Sequence, residues 1–327
     1  MDDTTDFADH VPPPPGPPPL LSEPQMLQLA QQGWLSLPLP AQTAGTLAEL
    51  MATSAAFFDQ QDHVKARAYP SSKAGTEFGY YKVEKEKEYV SGNVAPLHHS
   101  LGDTAARAWQ ERALLLFRIL CDLTRWCHFD TLPPPSSLWS SVWNDILDGT
   151  LKMPASEDQM TYTLLRLFRY VPATGVAETH IDLGLLTLCV GDREGLEVLD
   201  RQHSTNERPV WINLNAAGAV EAAGEARVAT ILVGQTLRAL SQRTFNAGIH
   251  RVVGNAEGRH SVVFALRHSS RHDVDLGLFG GKGRVRASEL YRFIEVGKVN
   301  INTVKKRRDA QRAEDVKGRL AKSALAR

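Results

Sequence analysis

The chain has 327 residues, with 37 Lys and Arg balanced against 37 Asp and Glu, 43% hydrophobic residues and 23% charged ones. That balance excludes a wholly disordered chain, and the length supports a sizeable core without covalent staples. A formal net charge of zero argues against a long-range field for nucleic acid or an acidic membrane surface. Cys121, Cys127 and Cys189 are too few for a disulfide scaffold and form no CxxC pair, so they are expected as core thiols. No stretch approaches 18 apolar residues, and the acidic, proline-rich start lacks the charged and apolar regions of a secretory signal. The expectation is a soluble, cytoplasmic protein with no membrane and no nucleic-acid partner, monomeric by default.

Residues 1–20, with VPPPPGPPPLL, read as an extended proline-rich arm, because proline lacks a donor and fixes φ. A mostly helical supporting region is expected over 21–157. It opens with SEPQMLQLAQQG, where Ser22 can cap, Pro24 sits in the first turn and Gly33 follows the last. WLSLPLP reads as a short strand and 43–60 as a second helix. Tyr69 to Gly92, with KVEKEKEYV, reads as an exposed surface segment. Residues 104–130 show the strongest helical pattern, with Leu114, Leu115, Leu116, Ile119 and Leu120 apolar, and a further helix is expected near 137–148.

From 158 to 275 the texture changes to short β-rich runs separated by Gly, Asp, Asn and Pro: TYTLLRLFRYV, HIDLGLLTLCVG, GLEVLD, VWINLNA, ARVATILVG and HSVVFALRHS. That spacing predicts an antiparallel barrel or double sheet rather than βαβ units. The Ala/Gly stretch at 216–226 is expected to be a loop. Residues 276–327 read as a C-terminal helical region whose basic tail, 305–327, holds nine Lys and Arg against three Asp and Glu and is expected as a solvated helix.

Chemistry concentrates at His180-Ile181-Asp182. On a strand, residues i and i+2 share a face with about 6.6 Å between their backbones, so imidazole and carboxylate can converge on one ion while Ile181 points away. His250 follows 68 residues after Asp182. Two histidines and one carboxylate form the facial set that holds non-haem Fe(II) and leaves positions open. An isolated HxD is common as plain structure, so the next element matters. Arg259 lies nine residues after His250, and Ser261 shares its strand face. A guanidinium fork beside a hydroxyl suits the distal carboxylate of a dicarboxylic co-substrate.

The runs HIDLGLLTLCVGDREGLEVLD, PVWINLN, ILVGQTLRALSQ and NAGIHRVVGNAEGRHSVVF resemble the catalytic half of the iron/2-oxoglutarate-dependent oxygenases, in the isopenicillin-N-synthase-like branch. The resemblance covers roughly 160–268, and more loosely LAQQGWLSLPLP and EFGYYKVEKEKEYV. It implies a mainly β fold with supporting helices, a distorted double-stranded β-helix or jelly roll. It implies His180, Asp182 and His250 as iron ligands, and Arg259 and Ser261 as the grip on 2-oxoglutarate. In LRLFRYVP, Arg169 stands where the family has a first tyrosine and Tyr170 where it has a second, so Tyr170 is a candidate co-substrate contact. The run Leu232-Val233-Gly234-Gln235 lacks the family's usual Asn and Asp. Leu186 and Leu188 would share a face with His180 and Asp182 on an unbroken strand.

The implied activity uses Fe(II), 2-oxoglutarate and dioxygen to oxidise an unactivated or benzylic C–H bond of a small organic molecule, by hydroxylation, in specialised metabolism, with succinate and carbon dioxide released. Desaturation, cyclisation and ring expansion begin with the same hydrogen abstraction and stay open. A 2-oxoglutarate-independent iron oxidase and a non-catalytic ligand-binding protein on the same fold are the competing readings. Phe264 reads as core, Arg193 as solvated, His268 and His272 as surface, and His98-His99 as a weak metal signal.

Overall fold

A computed structural model describes residues 19–71, 78–92, 100–127, 143–214, 228–295 and 300–314. The β-rich runs pair antiparallel into two sheets. The larger holds β1 (Trp34–Pro38), β2 (Gly79–Val83), β3 (Lys87–Gly92), β4 (Leu164–Tyr170), β6 (Leu186–Gly191), β9 (Val228–Val233) and β11 (Arg259–Leu266), in the order β1-β9-β6-β11-β4-β3-β2. The smaller holds β5 (Ala177–His180), β7 (Leu196–Leu199), β8 (Trp211–Asn213) and β10 (His250–Val252), in the order β5-β10-β7-β8. Tyr89, Phe168, Tyr170 and Cys189 of the large sheet pack with Ala177, Leu196 and Val252 of the small one. This is the two-sheet jelly roll of the double-stranded β-helix fold.

The two-residue period of a strand decides what each face does. In β11, Arg259, Ser261, Val263 and Ala265 border the cavity between the sheets. The alternate residues Val262, Phe264 and Leu266 are fully buried in the outer core. Phe264 meets Trp109 edge-on at 5.1 Å, which makes it core as expected.

Helices α1 (Glu23–Gln32) and α2 (Ala41–Phe58) contribute to the same core, the short α3 (Asp62–Ala68) carries Lys65 beneath the sheet edge, and α4 (Ser100–Cys127) adds the longest apolar face. At the start of α1 the Gln25 side chain accepts from the Ser22 backbone N–H at 2.9 Å, and Gly33 closes the helix at φ +80°. Along α4, Ala105, Trp109, Leu116, Ile119, Leu120 and Leu123 are all fully buried. Each large apolar side chain removed from water in this way contributes roughly 1.5–3 kcal/mol. No helix among the described residues is long and apolar enough to cross a membrane.

Four expectations require correction. The segment expected at the surface supplies the β2–β3 hairpin, and every residue of β3 is buried. Its charges are neutralised inside: Glu88 pairs with Lys65 at 2.5 Å and accepts from Tyr80 Oη at 2.6 Å. Lys87 donates to the backbone oxygens of Val176 and Ile301. His268, expected at the surface, is fully buried beside Tyr162, whereas His272 is exposed and pairs with Asp148 at 3.0 Å.

Leu186 and Leu188 do not share the face of His180 and Asp182. The chain leaves the small sheet after His180 and enters the large one at Leu186, so both leucines enter the outer core. Finally, the described part of the basic tail is helical over 305–314 but docked rather than solvated: Arg308 is 2% exposed and pairs with Glu86 at 2.8 Å and Glu178 at 3.0 Å. The arm through residue 18, His98-His99, the 216–226 stretch, residues 137–142 and residues 315–327 lie outside the described residues, while the expected helix near 137–148 is present at Asn144–Leu147.

Candidate metal centre and its pocket

His180 ends β5 and stands opposite His250 of β10 in the antiparallel register. Their rings are 4.0 Å apart between centroids. Each ring is oriented by its own chain: the Nδ1 of His180 lies 2.7 Å from the Glu178 carbonyl oxygen, and that of His250 3.1 Å from the Gly248 oxygen. Donation from Nδ1–H to those carbonyls leaves each Nε2 lone pair facing the cavity, the tautomer a metal ligand needs.

Asp182 reaches the same point from the turn after β5 rather than from the strand, so the i, i+2 strand argument does not hold in detail. Its Oδ1 is 3.7 Å from His180 Nε2 and its Oδ2 3.9 Å from His250 Nε2. The turn is held where Asp182 and Leu183 accept from the backbone N–H groups of Gln235 and Thr236. Ile181, expected to point away, also borders the cavity.

One ligand atom from each of the three residues lies within 4.8 Å of the others, a set that can hold a metal ion. Two features fit that role. Asp182 Oδ2 is buried without a hydrogen-bond partner, an arrangement that is costly without a cation. Burial opposes its charge, yet His250 and His180 beside it hold the carboxyl below its ordinary value. The donor set is two imidazoles and one carboxylate, suited to non-haem iron.

The three residues line a cavity of about 760 Å³ between the sheets. Arg259 and Ser261 line it too, both buried. Arg259 Nη1 donates to the Arg193 backbone oxygen, while its Nε and Nη2 are buried without partners. The guanidinium lies over Gly191, where any side chain would overlap it. Arg193 itself is half exposed and pairs with Glu257 at 3.0 Å, close to the solvated role expected of it.

Tyr170 pairs with Arg259 across the β4–β11 register and lines the cavity. Burial pushes its hydroxyl up, so it remains protonated. Arg169 points to the opposite face, where it pairs with Glu88 and, at 2.8 Å, with Asp59. Cys189 is buried and faces the cavity, with burial pushing its thiol up.

The sequence reading missed several lining residues. Thr187 and Cys189, not Leu186 and Leu188, face inward on β6. Arg166 on β4 and Arg267 just past β11 also face inward, a position that the parity of Tyr170 and Arg259 could have supplied. Residues 300–303, Arg307 and Arg312 border the same cavity from the C-terminal segment.

No protein-family profile matches the chain. Over 120 residues it is 32% identical to the oxidoreductase VrtI of Penicillium aethiopicum, across 34% of this chain. The matched stretch spans only 26% of that protein's length. The structure resembles a full-length Neurospora crassa protein solved in complex with alpha-ketoglutarate, with a TM-score of 0.63 at 13% identity, covering 84% of this chain and 90% of that one. It also resembles a 2OG-Fe(II) oxygenase family protein from Caulobacter crescentus, with a TM-score of 0.61 at 18% identity over 82% and 91% of the two chains. The rice dioxygenase for auxin oxidation gives a TM-score of 0.58 at 18% identity over 83% and 87%. The chain thus shares the double-stranded β-helix fold of these 2-oxoglutarate oxygenase structures, and its cavity carries a two-histidine, one-carboxylate set that can hold a metal ion.

Proposed function

We propose that the chain is an Fe(II)/2-oxoglutarate-dependent dioxygenase that hydroxylates a C–H bond of a small organic molecule. The observation that carries this reading is a shared cavity: the convergent triad and a buried arginine with unsatisfied N–H groups line the same wall system. His180, Asp182 and His250 would hold the iron, and Arg259 with Ser261 would grip the distal carboxylate of 2-oxoglutarate, with Tyr170 beside them. Iron in that position would couple decarboxylation of 2-oxoglutarate to succinate with transfer of one oxygen atom from dioxygen to the substrate.

The chain's own contribution is positional. The Glu178 and Gly248 carbonyls hold the imidazoles in one tautomer. Arg259 is pre-aimed by the Arg193 carbonyl, so little ordering is left to do when a carboxylate arrives. Tyr170, kept neutral, can donate a hydrogen bond without adding charge. The C-terminal residues that border the cavity would limit water around the reacting groups.

Aerobic incubation of the purified protein with Fe(II), 2-oxoglutarate and a metabolite extract tests the reading. Succinate formation together with a product heavier by one oxygen atom supports it; oxygen consumption unaffected by 2-oxoglutarate would overturn it in favour of an oxidase that draws all electrons from its substrate. A product lighter by two hydrogens would instead assign desaturation or ring closure.

A further inference from the structure

Arg267 has no part in that reading. It follows β11 and continues the inward parity of Arg259, Ser261, Val263 and Ala265. It is 8% exposed, and its Nε is buried without an acceptor. Its Nη1 donates to Tyr291 Oη at 3.3 Å. An ionised fork lining a cavity with an unsatisfied N–H is costly unless a ligand completes it.

The surroundings reinforce the positive charge. The cavity lining carries five arginines against the two carboxylates of Asp182 and Glu295. Arg166, on the neighbouring strand, adds a second inward guanidinium, lying over the Tyr89 ring at 5.8 Å. Burial and the Arg166 charge both press the Arg267 pKa down, opposed by Tyr291 and Asp182.

Tyr291 completes the arrangement. It stacks on Tyr162 at 4.2 Å with planes 12° apart, which fixes its hydroxyl beside Arg267. Because that oxygen accepts from Arg267, its own proton is available for a second acceptor. A fork and a hydroxyl thus stand together, as Arg259 and Ser261 do at the other end of the same strand. The two arginines are eight positions apart, about 26 Å along an extended chain. Leu164, Leu183, Val263 and Ala265 supply apolar lining.

Resting on the oxygenase reading, we propose that the substrate is a small carboxylic acid whose carboxylate docks on Arg267 and Tyr291 and whose apolar body reaches back toward the triad. A carboxylate matches the planar two-donor fork better than a tetrahedral anion does. The Arg259 end is thereby left to the co-substrate, so two acids bind head to head in one cavity without sharing a cation.

The test is calorimetric titration of the full-length protein with phenylbutyrate, phenylbutyramide and phenylbutanesulfonate. The acid is expected to bind at least tenfold more tightly than the amide, and the sulfonate more weakly than the acid. Arg267→Gln should abolish the preference for acid over amide, Arg267→Lys should retain part of it, and Arg259→Gln should leave it intact. Equal binding of acid and amide by the wild-type protein overturns the proposal with no variant needed. Absence of acid binding, a preference for the sulfonate, or a preference that vanishes with Arg259 instead of Arg267 overturns it equally. Fe(II) titration in parallel separates the two claims: failure to bind iron would sink the oxygenase reading, whereas loss of the acid preference with iron binding intact would sink only this one.

Discussion

Arg259 closes over Gly191 so tightly that a methyl group at the glycine would overlap its guanidinium. Gly191 therefore leaves the room that the guanidinium occupies, and Gly191→Ala is expected to displace the arginine. Arg259→Gln should raise the 2-oxoglutarate concentration needed for half-maximal turnover by about 10² or more, since truncating a buried charge contact typically costs about 3–5 kcal/mol. Gly191→Ala should shift the same parameter in the same direction by a smaller factor. Steady-state kinetics against 2-oxoglutarate checks both, and an unchanged requirement in Arg259→Gln would place the carboxylate elsewhere.

The triad predicts a second outcome. Asp182→Ala and His250→Ala should each lose stoichiometric Fe(II) binding under anaerobic titration, and with it succinate production. Because both side chains lie at the cavity wall, circular dichroism should remain that of the parent. Near-normal iron binding by either variant would remove that residue from the set.

Under the β2–β3 hairpin, Lys65 is 1% exposed and sits 2.5 Å from Glu88. Removing Glu88 leaves this buried ammonium with only the exposed Asp62 carboxylate, 3.0 Å away, and takes a carboxylate from Arg169 as well. Glu88→Ala should therefore lower the unfolding free energy by about 3 kcal/mol or more in urea denaturation. Replacing both residues with apolar ones should cost much less. A single-variant loss below ~1 kcal/mol would show the pair to be well hydrated.

His268 carries a pH prediction. Burial pulls its pKa from 6.5 to about 4, so the folded protein holds it neutral where the unfolded chain takes up a proton. Stability tied to this residue is complete above pH 6.5 and is lost as pH falls toward 4. Between pH 7 and pH 5 the loss should be about 2 kcal/mol. Denaturant curves at the two pH values should show this drop in the wild type and a smaller one in His268→Gln, whose amide can still donate to the Ala287 carbonyl.

Much of the site could be read from spacing because strands have a fixed period. Arg259 and Ser261 share a face, and His180 meets His250, as the alternation and the offsets indicate. Where the chain changes sheet, that logic fails. The turn at 181–185 resets the parity, so Thr187 and Cys189 face inward in place of Leu186 and Leu188. Charge was the other source of error. Lys87 and Glu88 look solvated in a run of alternating charges, and only partners distant along the chain, Lys65 and the Ile301 carbonyl, make them interior residues. Arg308 misleads for the same reason, since both its carboxylates lie more than 100 positions upstream.

That last contact has a consequence for the order of assembly. The triad and Arg259 are all synthesised by residue 259, whereas Arg308 and the C-terminal residues that border the cavity follow some 50 positions later. A chain cut off before residue 308 would hold all three triad residues and Arg259, yet leave Glu86 and Glu178 without the arginine that bridges them.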